Sequence, residues 1–488
     1  MTKNIFGTSG IRKVFLNYSE SDLMFTPHMA LDVGLALGTY LNMHRKERNN
    51  NGSKNGINVV IGRDIRISAQ PIEYSLISGL ISAGCNVKTL GIVTTPTLAM
   101  SLNILHADAG CMITASHNTP EYIGLKFWKP SGMGYTPKQE EEISRIYDEK
   151  KFIKTEWNQI GKVTHVNDIN DSHINSVTEV IQINGEKYNV IVDPGNGSSC
   201  DIVPKLLSSY GINFTTLNAN MSGLFPGRLS EPSKENLIQI SRFLKISREE
   251  DIGIALDGDA DRVIFLDEKG EIIDPIRLLA LMAKYHIEKN NSIKNNQRAW
   301  KLVTPINSSS LIEDVLEPIG CEVIRCEVGD IKVAIELRKR GGFLGGENSG
   351  TYIWPEMHYG PDSIYTIAKV LQMMSDSDKS LRTLLQDIPQ YPFYRSNFRL
   401  KNDIPFTSKI TSKIIKTMKE TFDYLDLEIK NINQMDGCRF DHDEGWILIR
   451  RSGTSPYLRI SGESNKNMEK SIEINKIAEK KMKQLGLI

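Results

Sequence analysis

Neither sign of charge dominates this chain of 488 residues: Lys and Arg total 59, and Asp and Glu total 59. A balanced surface offers no broad field to draw in nucleic acid or an anionic membrane, so neither is expected as a partner. Apolar runs long enough to span a bilayer are also missing. The opening residues Met1 to Gly7 carry no apolar signal-peptide core, and the expected location is the cytoplasm. Only six cysteines occur (Cys85, Cys111, Cys200, Cys321, Cys326 and Cys438), and none is paired at metal-type spacing. They read as reduced, mostly buried thiols. Two catalytic signatures are absent as well: there is no Gly-x-Ser-x-Gly elbow and no Walker A loop. Nothing in the sequence sets the oligomeric state.

What remains is an ordinary globular composition, 40% apolar and 24% charged, in a chain too long for one core. Strand-like and helix-like patterns alternate. Asn58–Gly62, a helix from Ile72 to Ala83 and Asn86–Leu90 form a βαβ unit, which implies a mainly parallel sheet. Asn189–Asp193, a helix from Asp201 to Leu207 and Asn213–Leu217 form a second. A third runs from a helix at Arg277–Ile287 through a strand at Ala299–Val303 to a helix near Asp362–Met374. The last hundred residues differ, with a helix from Phe406 to Phe422, paired strands at Trp446–Arg450 and Tyr457–Ile460, and a charged terminal helix. The expected fold class is therefore α/β: three related mixed-sheet domains and a smaller α+β domain. The expected boundaries are 1–165, 166–271, 272–390 and 391–488. Two polar runs, His44–Asn55 and Lys289–Gln297, are expected to be exposed loops.

Four loops carry chemistry. In Asp257-Gly258-Asp259-Ala260-Asp261-Arg262, three carboxylates alternate between two strand-like runs, Ile252–Leu256 and Val263–Leu266. Such carboxylates repel one another unless a cation neutralises them, so the loop reads as an oxygen-ligand site for Mg2+. An EF-hand is excluded, because Arg262 stands where its sharp turn needs Gly and a strand replaces the exiting helix. In Thr114-Ala115-Ser116-His117-Asn118-Thr119-Pro120, a serine follows an apolar strand, as a nucleophile or phosphate carrier can. The adjacent His117 is weak evidence for a Ser-His pair, since neighbours in sequence usually point apart. Gly345-Gly346-Glu347-Asn348-Ser349-Gly350 sets a carboxylate, an amide and a hydroxyl among glycines, a combination suited to sugar hydroxyls. Arg450-Arg451-Ser452-Gly453-Thr454-Ser455-Pro456, with Arg459 beyond, concentrates donors for phosphate oxygens.

In this order the four loops resemble the α-D-phosphohexomutase superfamily of phosphoglucomutases, phosphomannomutases and phosphoglucosamine mutases. Phe6–Arg12, Ile61–Arg66 and Phe225–Arg228 also match its patterns, so the resemblance covers nearly the whole chain. It implies an active site in a central cleft, with Ser116 phosphorylated and Asp257, Asp259, Asp261 and a phosphoserine oxygen holding Mg2+. It implies that Glu347 and Ser349, with Asn348 between them, face sugar hydroxyls, as do Gly329 and Asp330. Arg450, Ser452, Gly453 and Thr454, with Arg459, would grip the phosphate that is not reacting. Arg262 would lie near the transferring group. Lys126, Arg12 and His117 complete the catalytic set, with Lys126 the best base candidate and Arg12 electrostatic.

The expected activity is interconversion of hexose 1- and 6-phosphates through a phosphoserine and a hexose 1,6-bisphosphate, which also serves as activator. Glucose and mannose phosphates are the first expectation and glucosamine phosphate the alternative; a sugar phosphatase and a non-catalytic sugar-phosphate sensor are more remote. The chain departs from common family residues at Ile123, Thr351, Arg451 and Ser455. Thr351 stands where many bacterial members carry His, so no histidine acid or base is available there.

Overall fold

A computed structural model describes residues 5–7, 10–15, 24–45, 56–247, 249–294, 299–401, 406–452 and 456–488. The chain folds into two compact units. One comprises residues 1–275 and 349–385, the other 276–348 and 386–488.

The first unit holds two sheets. The larger runs Met24–Phe25, Ile11–Phe15, Tyr122–Trp128, Ala109–Ile113, Asn58–Arg63, Asn86–Ile92, Val163–His165. Its central strands are parallel, whereas Tyr122–Trp128 pairs antiparallel with both neighbours, so the sheet is mixed. Helices Pro27–Met43 and Ala69–Ser82 cross in close contact: a Cβ on Gly79 would lie 2.2 Å from the Leu31 carbonyl oxygen. Glycine is what lets these two backbones touch. The second sheet runs Val263–Asp267, Ile252–Leu256, Asn189–Asp193, Asn213–Thr216. Its strands Ile252–Leu256 and Val263–Asp267 are buried throughout and form an antiparallel hairpin. Burial on both faces explains why they read as continuous apolar runs rather than alternating ones.

In the second unit Cys321–Cys326, Trp300–Pro305 and Leu344–Gly346 lie parallel. A five-stranded antiparallel sheet follows, in the order Phe393–Arg399, Tyr457–Ser464, Gly445–Arg451, Cys438–His442, Ile429–Asn433. Helices Ser408–Tyr424 and Met468–Gln484 supply residues to the core against it. The mixed α/β sheets and the antiparallel C-terminal sheet are those expected from the pattern.

One element differs. The run Lys289–Gln297, expected as a loop, is helical as far as Lys294, within helix Pro275–Lys294. Polar residues on an exposed face do not end a helix whose opposite face is buried. The Asn290 amide donates to the His286 carbonyl one turn back (2.8 Å). Residues 46–55 of the other polar run lie outside the described residues, as do 295–298. Five of the six cysteines are buried and Cys200 is partly so; all six are free thiols. Among the described residues, no helix is long and apolar enough to cross a membrane.

Candidate active site

Ser116 follows strand Ala109–Ile113 and is fully buried in left-handed backbone, φ +51°. That conformation costs about 1–3 kcal/mol for a non-glycine residue, so its surroundings must impose it. Thr114 Oγ1 accepts from the Ser116 N–H (2.8 Å). The Ser116 carbonyl accepts from Arg66 Nη2 (2.8 Å) and Ser230 Oγ (2.9 Å). The Arg66 guanidinium also donates to the carbonyls of Asn118, Thr119 and Tyr122, while its Nε lies 3.0 Å from Asp64 Oδ2. Burial raises the Asp64 carboxyl pKa, and the Arg66 charge opposes that rise.

The curled backbone aims Ser116 Oγ at the acidic hairpin. It donates to Asp257 Oδ2 at 2.9 Å and lies 3.3 Å from Asp261 Oδ1. It also brings Oγ within 3.4 Å of His117 Nδ1, against the expectation that neighbours in sequence point apart. The left-handed turn is the reason. Burial, then the charges of Arg262 and Arg12, lower the His117 pKa to about 2. The ring is therefore neutral.

Asp257, Asp259 and Asp261 each offer an oxygen within 4.8 Å of the others, all buried. Burial and the charges of Asp261 and Asp259 push the Asp257 carboxyl well above the usual range. Burial also acts to raise Asp261, but Lys126 and Arg262 outweigh it and hold that group below the usual range. Lys126 Nζ lies 2.6 Å from Asp261 Oδ2 and 3.3 Å from Asp259 Oδ2. The Asp259 Oδ1 atom is buried without a hydrogen-bond partner. An orphaned carboxylate oxygen among three clustered carboxylates fits a hard cation such as Mg2+.

The two loops are joined by residues that motif reasoning did not select. Ser230 Oγ donates to the Ser116 carbonyl and accepts from the Gly258 N–H (2.9 Å). A Cβ at Gly258 would sit 2.6 Å from that oxygen, which explains glycine there. Arg228 pairs with Asp193 (2.8 Å) and donates to the carbonyl of Leu256, just before the acidic loop (2.6 Å). Thr95 Oγ1 donates to Asp259 Oδ2 (2.7 Å). Arg66 and Arg228 lay within family-like segments, but no spacing rule marks Ser230 or Thr95. Arg12 donates to Asn118 Oδ1 (3.2 Å), and Arg262 Nη1 lies 3.6 Å from Glu231 Oε1.

Within the second unit, Glu347 Oε1 accepts from the Gly329 N–H (2.9 Å), bringing two of the expected sugar-facing segments together. Asp330 begins helix Asp330–Arg340. The Asn348 side chain holds its own loop, accepting from Ser308 Oγ (2.8 Å) and donating to the Asn307 carbonyl (3.1 Å). Asp436 lies 3.0 Å from Arg450 Nη2 and accepts from the Val328 N–H (3.2 Å), linking the segment before Gly329 to Arg450. The Ser452 N–H donates to the Tyr457 carbonyl, and Arg459 stands opposite Arg450 on the neighbouring strand. Gly453 and Thr454 lie outside the described residues. Ser349 belongs to the first unit, where its hydroxyl is 3.1 Å from that of Thr351.

Three family models match along the chain. They are the phosphoglucomutase/phosphomannomutase alpha/beta/alpha domains I (residues 3–154), II (171–270) and III (274–391). A Pyrococcus abyssi protein named "Probable phosphoglucosamine mutase" is 38% identical over 478 residues, 98% of this chain and 97% of its own length. The Methanococcus vannielii phosphoglucosamine mutase is 37% identical over 463 residues, 94% of each chain. Among solved structures, a phosphoglucomutase/phosphomannomutase family protein from Burkholderia thailandensis shares the fold. Its TM-score is 0.82 at 24% identity, over 99% of this chain and 97% of that one. The chain belongs to the α-D-phosphohexomutase superfamily and is an isomerase of the phosphohexomutase type.

Proposed function

We propose that this enzyme interconverts glucosamine 6-phosphate and glucosamine 1-phosphate through a phosphorylated Ser116 and a glucosamine 1,6-bisphosphate. The observation that supports the chemistry is the Ser116 hydroxyl held 2.9 Å from one of three buried carboxylates. The near full-length relatives at 37–38% identity, both named for phosphoglucosamine, support the hexose. This reverses the sequence expectation, which put glucose and mannose first. The four loops are common to a superfamily whose members differ in their hexose, so they carry little information about the substituent at C2.

Asp257, Asp259 and Asp261 would hold Mg2+, which when bound neutralises phosphoryl oxygens and eases serine departure. The chain's own residues do the rest. Arg66, Thr114 and Ser230 orient Ser116. Lys126 and Arg262 add positive charge beside the carboxylates, where phosphoryl transfer needs neutralisation and in-line positioning more than covalent chemistry. Glu347 would read sugar hydroxyls, and Arg450, Ser452 and Arg459 would hold the spare phosphate. After the first transfer the bisphosphate turns over and presents its other phosphate to Ser116.

The test is initial rates on glucosamine, glucose and mannose 1-phosphates with the matching bisphosphate present. Glucosamine phosphate should lead in kcat/KM by at least about tenfold, the worth of one hydrogen bond to a charged group. Equal rates on all three would refute the amino-sugar assignment. Absence of phosphate on Ser116 in active enzyme, read by mass spectrometry, would refute the mechanism.

A further inference from the structure

Behind the acidic loop lies a buried polar chain that the reaction does not itself use. Ala260, between Asp259 and Asp261, is in left-handed backbone, φ +56°. Like Ser116 it lacks glycine's freedom, so its neighbours must hold it there. On one side stands helix Thr95–Ile104, capped by Thr94, whose side chain accepts from the Thr97 N–H. Thr95 donates its N–H to the Asp259 carbonyl (2.8 Å) and its hydroxyl to Asp259 Oδ2 (2.7 Å). On the other side stands helix Ser363–Ser377. Its first residue, Ser363, donates Oγ to the Ala260 carbonyl (2.5 Å).

Between the two helix starts stands a carboxylate flanked by two imidazoles. Asp362 caps its helix by accepting from the Tyr365 N–H (2.8 Å). Its other oxygen lies 3.1 Å from His358 Nε2 and 3.4 Å from His173 Nε2. His358 Nδ1 accepts from the Gly360 N–H (3.0 Å), so its proton sits on Nε2 and points at Asp362. His173 Nδ1 is 3.1 Å from Thr97 Oγ1, which in turn is 2.7 Å from Thr94 Oγ1. Thr94, Thr97, His173 and Asp362 are all at most 1% exposed. Burial alone would raise the Asp362 pKa, but His173 and then His358 hold it below the usual carboxylate range. Thr97, His173 and Asp362 thus line up between the two helix starts, the His173–Asp362 step being a 3.4 Å contact rather than a hydrogen bond.

We propose that His173 and Asp362, through Thr95 and Ser363, are positioning residues that set the geometry of Asp259 and Ala260 for cation binding. The inference rests on the reading of Asp257, Asp259 and Asp261 as a metal site. A loop that must turn left-handed and bring three like charges together gains from being clamped before the cation arrives. Residues that orient ligands from behind typically govern metal affinity by about 10–100-fold.

The experiment uses the full-length, unphosphorylated enzyme without substrate. Mn2+ and Mg2+ dissociation constants are measured by titration calorimetry for Ser363→Ala, Thr95→Val and His173→Gln, with Thr95→Ser as the conservative control. A glutamine at 173 replaces the rigid imidazole that stands 3.1 Å from Thr97 and 3.4 Å from Asp362. All three disruptive variants should bind metal about 10–100-fold more weakly. Thr95→Ser should retain normal affinity, and in separate steady-state assays of the phosphorylated enzyme at saturating metal the sugar-phosphate KM should be unchanged. Normal metal affinity in His173→Gln, or in both Ser363→Ala and Thr95→Val, overturns the proposal even if melting temperatures fall. If His173→Gln does not fold, the two hydroxyl variants decide. Asp259→Asn tests the underlying reading separately: undiminished metal affinity there would place the cation elsewhere.

Discussion

Ser116 shows how much of a candidate catalytic position is backbone. A serine after a strand is common, and nothing about its side chain alone marks a nucleophile. What distinguishes this one is a left-handed φ imposed by Arg66, Thr114 and Ser230, and a hydroxyl thereby aimed at Asp257. Ser230 is the sharpest test of that view, because its single oxygen serves the serine loop and the acidic loop together. Ser230→Ala leaves the buried Gly258 N–H without its partner, at a cost of about 1–3 kcal/mol in unfolding free energy. Denaturant unfolding measures that cost. The same variant should lower kcat with little change in sugar-phosphate KM, since the hydrogen bonds of Ser230 go to the Ser116 carbonyl and the Gly258 N–H. An unaltered kcat would mean that Ser116 holds its orientation without Ser230.

At the scale of elements, the antiparallel sheet of the second unit concentrates charge by register. Arg450 pairs opposite Arg459, and Arg459 opposite Asn397. Arg395 is two residues from Asn397 and shares its face. Burial, then neighbouring Arg459 and Arg450, lower the Arg395 pKa; burial and Arg450 do the same to Arg459. Asp436 is the carboxylate 3.0 Å from Arg450. Guanidinium groups crowded against one another are relieved by a dianion. If this row takes the non-reacting phosphate, its grip positions the distant hydroxyl at the phosphoserine. Arg450→Ala should then cost roughly 2–4 kcal/mol of transition-state stabilisation, about two orders of magnitude in kcat/KM. Forward and reverse rates should fall together, because each orientation of the bisphosphate presents its spare phosphate to the same row. Arg395→Gln should raise KM by a smaller factor and leave kcat alone. Unchanged kinetics for Arg450→Ala in both directions would leave the sheet a structural role only.

For the molecule as a whole, a cation held by the acidic hairpin would couple folding to metal. All three aspartates sit in the first unit, buried and mutually repelling. A cation bound only by the folded state at a hundred times its Kd adds about 2.7 kcal/mol to stability. Mg2+ should raise the melting temperature, chelation should lower it and stop turnover, and Asp259→Asn should make melting insensitive to both. Differential scanning calorimetry with and without chelator reads the effect. A wild-type melting curve indifferent to Mg2+ would argue against a resident cation.

The sequence by itself determined the alternation of α/β units, the antiparallel end of the chain and the chemistry-bearing loops. These rest on local signals: period-2 and period-3.6 patterning, alternate carboxylates, a serine after a strand, arginines around a Ser-Gly turn. The strands beside the acidic loop were legible as short continuous apolar runs, Ile252–Leu256 and Val263–Leu266, and the structure pairs them antiparallel. Only the tertiary structure decided which residues hold those loops in place. Thr95 and Asp259, Ser230 and Ser116, and His173 and Asp362 are 164, 114 and 189 residues apart in the chain. Their contacts depend on packing between distant elements, and an isolated threonine, serine or histidine carries no periodic or spacing signal. The left-handed turns at Ser116 and Ala260 were hidden for the same cause: neither is a glycine, and only the surrounding hydrogen bonds compel them.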